Sequence, residues 1–79
     1  MRLDELPAGI DAVIDHIDHR AADDTVAQRL GELGFVPGEP LRIVAVGPFG
    51  ADPLAVKIGF TRFALRRSEA SRVILRDAS

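Results

Sequence analysis

Cysteine, tryptophan and tyrosine are all missing from this 79-residue chain. Without cysteine there is no disulfide framework and no thiolate metal site. That composition fits a reducing compartment. Without tryptophan or tyrosine, the basic residues lack the interleaved aromatics on which bases stack, which argues against nucleic acid as a partner. No apolar run approaches about 18 residues, so no direct membrane insertion is expected. The N-terminus has no basic segment followed by an apolar one, so no secretory signal is read there. A phosphate-binding glycine loop and a Gly-x-Ser-x-Gly turn are missing too. These absences leave no catalytic signal, and a non-enzyme located in the cytoplasm is expected.

What is present suits one small folded unit. Hydrophobic residues make up 47% of the chain, too much for a disordered segment. The length permits a single domain, residues 1–79, that buries roughly 60 per cent of its unfolded surface around a small core. The net charge of −2 hides an imbalance, −6 over residues 1–39 against +4 over residues 40–79. Such a dipolar chain presents a basic face to an acidic partner.

The pattern of elements is read from punctuation and period. Residues 3–9 predict a short helical turn ending at Pro7 and Gly9. Ala12 and Ile14 alternate as in a strand, and Ile17 breaks the phase, which predicts a bulge or a strand end near Asp15–His16. Thr25 and Gln28 have the spacing of a capping box, with Asp23 and Asp24 just before the first turn. Val26, Leu30 and Leu33 then follow a helical period. Gly34 stands where the helix exit needs a positive φ, with Phe35 folding back on Leu30. Pro37–Gly38 predicts a type II turn. Gly31, costly inside a helix, predicts close approach of a neighbouring strand. Three alternating sets follow, Leu41/Ile43/Ala45, Leu54/Val56/Ile58 and Thr61/Phe63/Leu65, the last two separated by a reversal at Gly59. Residues 67–71 predict a short turn of 3₁₀ form, and Val73–Leu75 a final strand. Short strands in so few residues predict an all-β fold, a small β-barrel with a helix inserted between the first two strands. An open sheet would leave edges that such strands cannot protect.

The stretch RLGELGFVPGEPLRI, with Arg29, Leu30, Leu33, Gly34, Phe35, Pro37 and Gly38 at its key places, resembles the signature of the ferrous iron transport protein A (FeoA) family. A second block, FALRRSEASRVIL, matches it at Ala64, Leu65, Arg66, Glu69 and Ala70. The two blocks keep the family's order and spacing across almost the whole chain. The resemblance implies an SH3-like barrel. It also implies a stand-alone cytoplasmic accessory that binds or regulates a membrane ferrous iron permease carrying a GTP-binding domain. No required cofactor follows from it, and an oligomer is left open.

Candidate site residues fall into two groups. Phe49 on a glycine- and proline-flanked loop tip, with Arg62, Arg66 and Arg67 in the basic C-terminal half, are the candidates for partner binding. Asp15, His16 and His19 carry carboxylate and imidazole donors suited to weak Fe²⁺ or Zn²⁺ binding. They support the alternative of a metal-responsive regulatory domain, while two surface histidines in an acidic loop are the simpler account. Leu30, Leu33, Phe35 and Leu65 have core spacing and identify the fold without needing to touch a partner.

Overall fold

Residues 1–50 and 52–76 are described by the computed structural model, so Ala51 of the 47–53 loop and residues 77–79 lie outside the account. A 3₁₀ turn, Leu3–Glu5, leads into β1 (Asp11–Ile17), α1 (Thr25–Leu33), β2 (Pro40–Val46), β3 (Leu54–Ile58), β4 (Thr61–Leu65), α2 (Arg67–Ala70) and β5 (Val73–Leu75). The strands form one five-stranded antiparallel sheet in the order β4-β3-β2-β1-β5. No helix of the described residues is long and apolar enough to cross a membrane.

Strand β1 bends the sheet. Its first half pairs with β2, Asp11 opposite Arg42, and its second half pairs with β5, Ile17 opposite Val73. The register shifts between Ile14 and His16, where the broken alternation predicted a bulge. A bulge adds one residue to one strand and sharpens its twist, so β1 serves two neighbours at different angles. A second shift lies between Ile43 and Ala45. It turns Ala45 outward to solvent, against its expected place beside Leu41 and Ile43.

The helix exit forms as its residues dictate. Gly34 has φ +110° and its N–H donates to the Gly31 carbonyl at 3.1 Å, while the Phe35 N–H donates to the Leu30 carbonyl at 3.0 Å. These two bonds are the Schellman pair. They deliver Phe35 into the core, where it is fully buried and tilts against Phe63 at a centroid distance of 5.5 Å. Gly38, at φ +91°, completes the next turn, with the Glu39 N–H on the Val36 carbonyl at 3.2 Å. Leu30, Ile14, Ile43, Leu54, Val56 and Val73 belong to the same apolar cluster as Phe35.

Three local expectations need correction. The residue that caps α1 is Asp24, one position before Thr25, and its carboxylate accepts from the Ala27 N–H at 3.2 Å. A carboxylate caps as well as a hydroxyl does and adds a charge at the positive helix end. The 67–71 segment contains a single α-turn, with the Glu69 carboxylate accepting from the Arg66 N–H at 2.7 Å. No strand approaches Gly31: a Cβ placed there meets nothing within 4 Å. Gly47 is the glycine under steric demand, since its Cβ would lie 2.5 Å from the Asp52 carbonyl oxygen.

Alanine at these two glycines should therefore act in opposite directions. Gly31→Ala is expected to raise unfolding free energy by ~0.5–1 kcal/mol in a denaturant titration, from helix propensity alone. Gly47→Ala is expected to lower it, because the Asp52–Pro53 backbone must move. Destabilisation by Gly31→Ala would mean that the glycine serves packing after all.

Candidate functional site

The charged residues divide into three places. One is structural. Asp24 is buried, its side chain 5% exposed against 15% for Arg72, and its carboxylate accepts from Arg72 Nε at 2.9 Å. The Arg20 N–H donates to the same carboxylate at 3.0 Å. Arg72 also donates to the Ser68 carbonyl at 2.8 Å. The Arg72 hydrogen bond, backed by the Arg20 and Ala27 N–H groups, outweighs desolvation and holds the Asp24 carboxyl far below its ordinary value of 3.8. Nearby, Arg2 donates to the Ser71 carbonyl at 2.6 Å and to Asp18 at 3.2 Å. Arg72 is thus occupied in tying the helix N-terminus to the α2–β5 turn.

The second place is the 47–53 loop. Phe49 is 83% exposed, so it does not fold back onto the core. It lines an open groove of about 360 Å³ with Asp52, Pro53 and Arg66. Two of the predicted contact residues, Phe49 and Arg66, therefore line one groove. Arg67 is engaged elsewhere: its side chain donates to the Asp4 carbonyl at 2.9 Å, and its N–H donates to Asp52 at 3.2 Å. It braces the loop and the 3₁₀ turn together.

Arg62 belongs to the third place, on the outer face of the sheet. Strand pairing sets Asp11 opposite Arg42, Arg42 opposite Lys57 and Lys57 opposite Arg62. Asp11 and Arg42 form a bidentate pair at 2.8 and 2.9 Å. This hydrogen bond lowers the Asp11 pKa and raises that of Arg42. All of these residues line one open groove of about 540 Å³. Beside it, Phe60 at the β3–β4 turn is fully exposed. Arg42, Lys57 and Phe60 were not singled out from sequence. The Gly59 reversal was the available signal for Phe60, because a residue at a hairpin tip has no core to enter.

The histidines do not assemble a metal centre. His16 Nδ1 and Asp15 Oδ2 lie 2.6 Å apart on the solvent side of β1. His19 sits in the exposed segment beyond the strand. Among the described residues, no group of three His, Cys, Asp or Glu side chains is placed to hold a metal ion. Asp15, His16 and His19 thus do not fit a closed ligand set, which needs at least three protein donors around Zn²⁺.

The FeoA domain model matches residues 1–77. No curated protein matches. The crystal structure of Stenotrophomonas maltophilia FeoA complexed with zinc is 54% identical, with TM-score 0.89, over 96% of this chain and 89% of that one. That protein is described as a prokaryotic SH3 domain protein and a candidate ferrous iron transport activating factor. FeoA of Chlorobium tepidum is 32% identical, with TM-score 0.81, over 100% of this chain and 71% of that one. Iron(II) transport protein A of Clostridium thermocellum is 35% identical, with TM-score 0.80, over 95% of this chain and 44% of that one. The fold is SH3-like on this likeness, as the two sequence blocks implied.

Acid titration separates the buried pair from the exposed charges. Folding keeps Asp24 ionised to lower pH than the unfolded chain does, so its contribution is complete above pH 3.8 and is lost as pH falls below it. Asp24→Asn keeps a capping oxygen but leaves Arg72 unneutralised. At pH 7 it should lower the thermal midpoint by about 10 °C or more. The gap to the parent chain should close as pH falls below 3.8. A gap that stays constant with pH would contradict the ion-pair account.

Proposed function

The chain belongs to the FeoA domain family, and on that premise we propose that it is a cytoplasmic accessory of bacterial ferrous iron uptake. It acts as one domain, by contact with the GTP-binding ferrous iron permease, and performs no catalysis of its own. The observation that carries this reading is the exposed Phe49 ring beside Arg66. An aromatic and an arginine flanking one groove are the residue types that dominate binding energy when a partner buries them. Phe49 stands outside the apolar core cluster and is mostly exposed, so its ring is available to an occupant of the groove. Arg66 supplies charge that steers an acidic surface toward it. Iron enters this account as cargo of the permease.

A second reading, a metal-responsive regulatory domain, draws support from the zinc bound by the Stenotrophomonas relative. The open arrangement of Asp15, His16 and His19 favours the first reading.

Titrating the isotope-labelled chain with the permease's GTP-binding domain tests the contact. Amide shifts are expected around residues 47–53 and Arg66, and Phe49→Ala with Arg66→Glu should weaken binding by about tenfold or more. Unchanged affinity in that double variant would overturn the assignment. For the metal, calorimetry with Zn²⁺ on His16→Ala/His19→Ala should give an affinity within about twofold of the parent, whereas a loss of tenfold or more would favour the regulatory reading.

A further inference from the structure

The two edges of the sheet are treated differently by the chain. At β5 the N-terminus covers the edge: Arg2 bridges Ile74, and the Leu75 N–H donates to the Met1 carbonyl at 2.8 Å. At β4, among the described residues, nothing pairs with the outer side, since β4 ends the strand order with β3 as its one neighbour. Ile58 and Thr61 close a two-residue hairpin loop, and such a closing pair is hydrogen-bonded across the strands. The alternation then turns the N–H and C=O groups of Arg62 and Ala64 away from β3, toward open solvent.

Side chains around this edge define what would fit. On the outer face the register line runs Asp11, Arg42, Lys57, Arg62, acid first and then bases. Asp11 neutralises Arg42. Lys57 and Arg62 form no salt bridge among the described residues. The line therefore ends on β4 with charge unmatched, and the next position outward is where an acid belongs. On the inner side of β4, a groove of about 170 Å³ runs between the strand and α1, lined by apolar side chains such as Val26, Leu33 and Phe63 together with the charged Arg29 and Glu69. Residues of an added strand would alternate between these two surroundings, acid outward and apolar inward.

We propose that the β4 edge binds an extended acidic peptide segment of a partner protein, which joins the sheet as an additional antiparallel strand. Backbone bonds to Arg62 and Ala64 supply affinity, and a carboxylate facing Arg62 and Lys57 supplies selectivity. Nucleic acid matches the charge but leaves the backbone edge and the groove beside α1 unused. This site lies apart from the Phe49–Arg66 groove and does not depend on which protein supplies the segment.

The probe is an end-blocked synthetic peptide of about eight residues, with Glu at alternate positions and Val or Thr between them, a typical strand length. Its control carries Lys in place of each Glu. The expected result is saturable binding with amide shifts confined to residues 60–65 and the facing side of α1. Hydrogen exchange should slow at Arg62 and Ala64, and the Lys peptide should bind at least about tenfold more weakly. Arg62→Glu, a change at an exposed residue, should reverse that preference. Ala64→Pro, which deletes an outward N–H, should abolish binding of both peptides. No saturable binding, shifts elsewhere on the chain, equal binding of the two peptides, or preference for a thymidine oligonucleotide over the Glu peptide would overturn the proposal. Failure here would leave the Phe49–Arg66 contact standing, and failure of the permease domain to bind would leave a positive peptide result intact.

Discussion

One buried ion pair holds the non-strand parts of this molecule in place. Asp24 accepts from the first turn of α1, from the backbone at Arg20 and from the Arg72 guanidinium. Each partner comes from a different stretch: the helix, the loop before it, and the turn before β5. A charge removed from water is costly unless fully paired, so the site tolerates only the arrangement in which all these stretches meet. The α1 exit is fixed in turn by Gly34, and the core ring Phe35 follows directly. Sheet and helix are thereby joined at both ends of α1, which a domain with so small a core needs.

The rest of the charge is free to serve the surface. With Arg72 and Arg67 committed to internal contacts, the basic C-terminal half resolves into two exposed places. Arg66 sits with Phe49 at the 47–53 loop. Arg42, Lys57 and Arg62 cross the outer face of the meander. Both have features of recognition: exposed aromatic rings, arginines and unmatched charge. A family accessory that works by contact is consistent with that division.

Much of the fold was legible because its signals are local. Gly34 with Phe35, the Pro37–Gly38 turn, the β1 bulge and the strand alternations all follow from backbone chemistry within a few residues. The cap was misplaced by one residue because Thr25 and Asp24 both suit the position, and only the contact with Arg72 decides between them. Gly31 misled because propensity names a cost without naming its cause. The candidate site was less legible. Phe49 could be singled out from its loop, but Arg62 and Arg67 looked alike in sequence. Their separation depends on the pairing of β3 with β4 and on the distant Asp4 carbonyl. The line from Asp11 to Arg62 spans four strands, and register across that distance leaves no trace in any single segment.

The most direct test of a contact-based role is ferrous iron uptake by iron-limited cells whose only copy of this chain carries Phe49→Ala with Arg66→Glu. The account predicts uptake reduced to the level of cells lacking the chain, with the variant folded and present at normal abundance. Uptake equal to that of the parent strain would contradict it, because the groove would then be dispensable to the transport that the family serves.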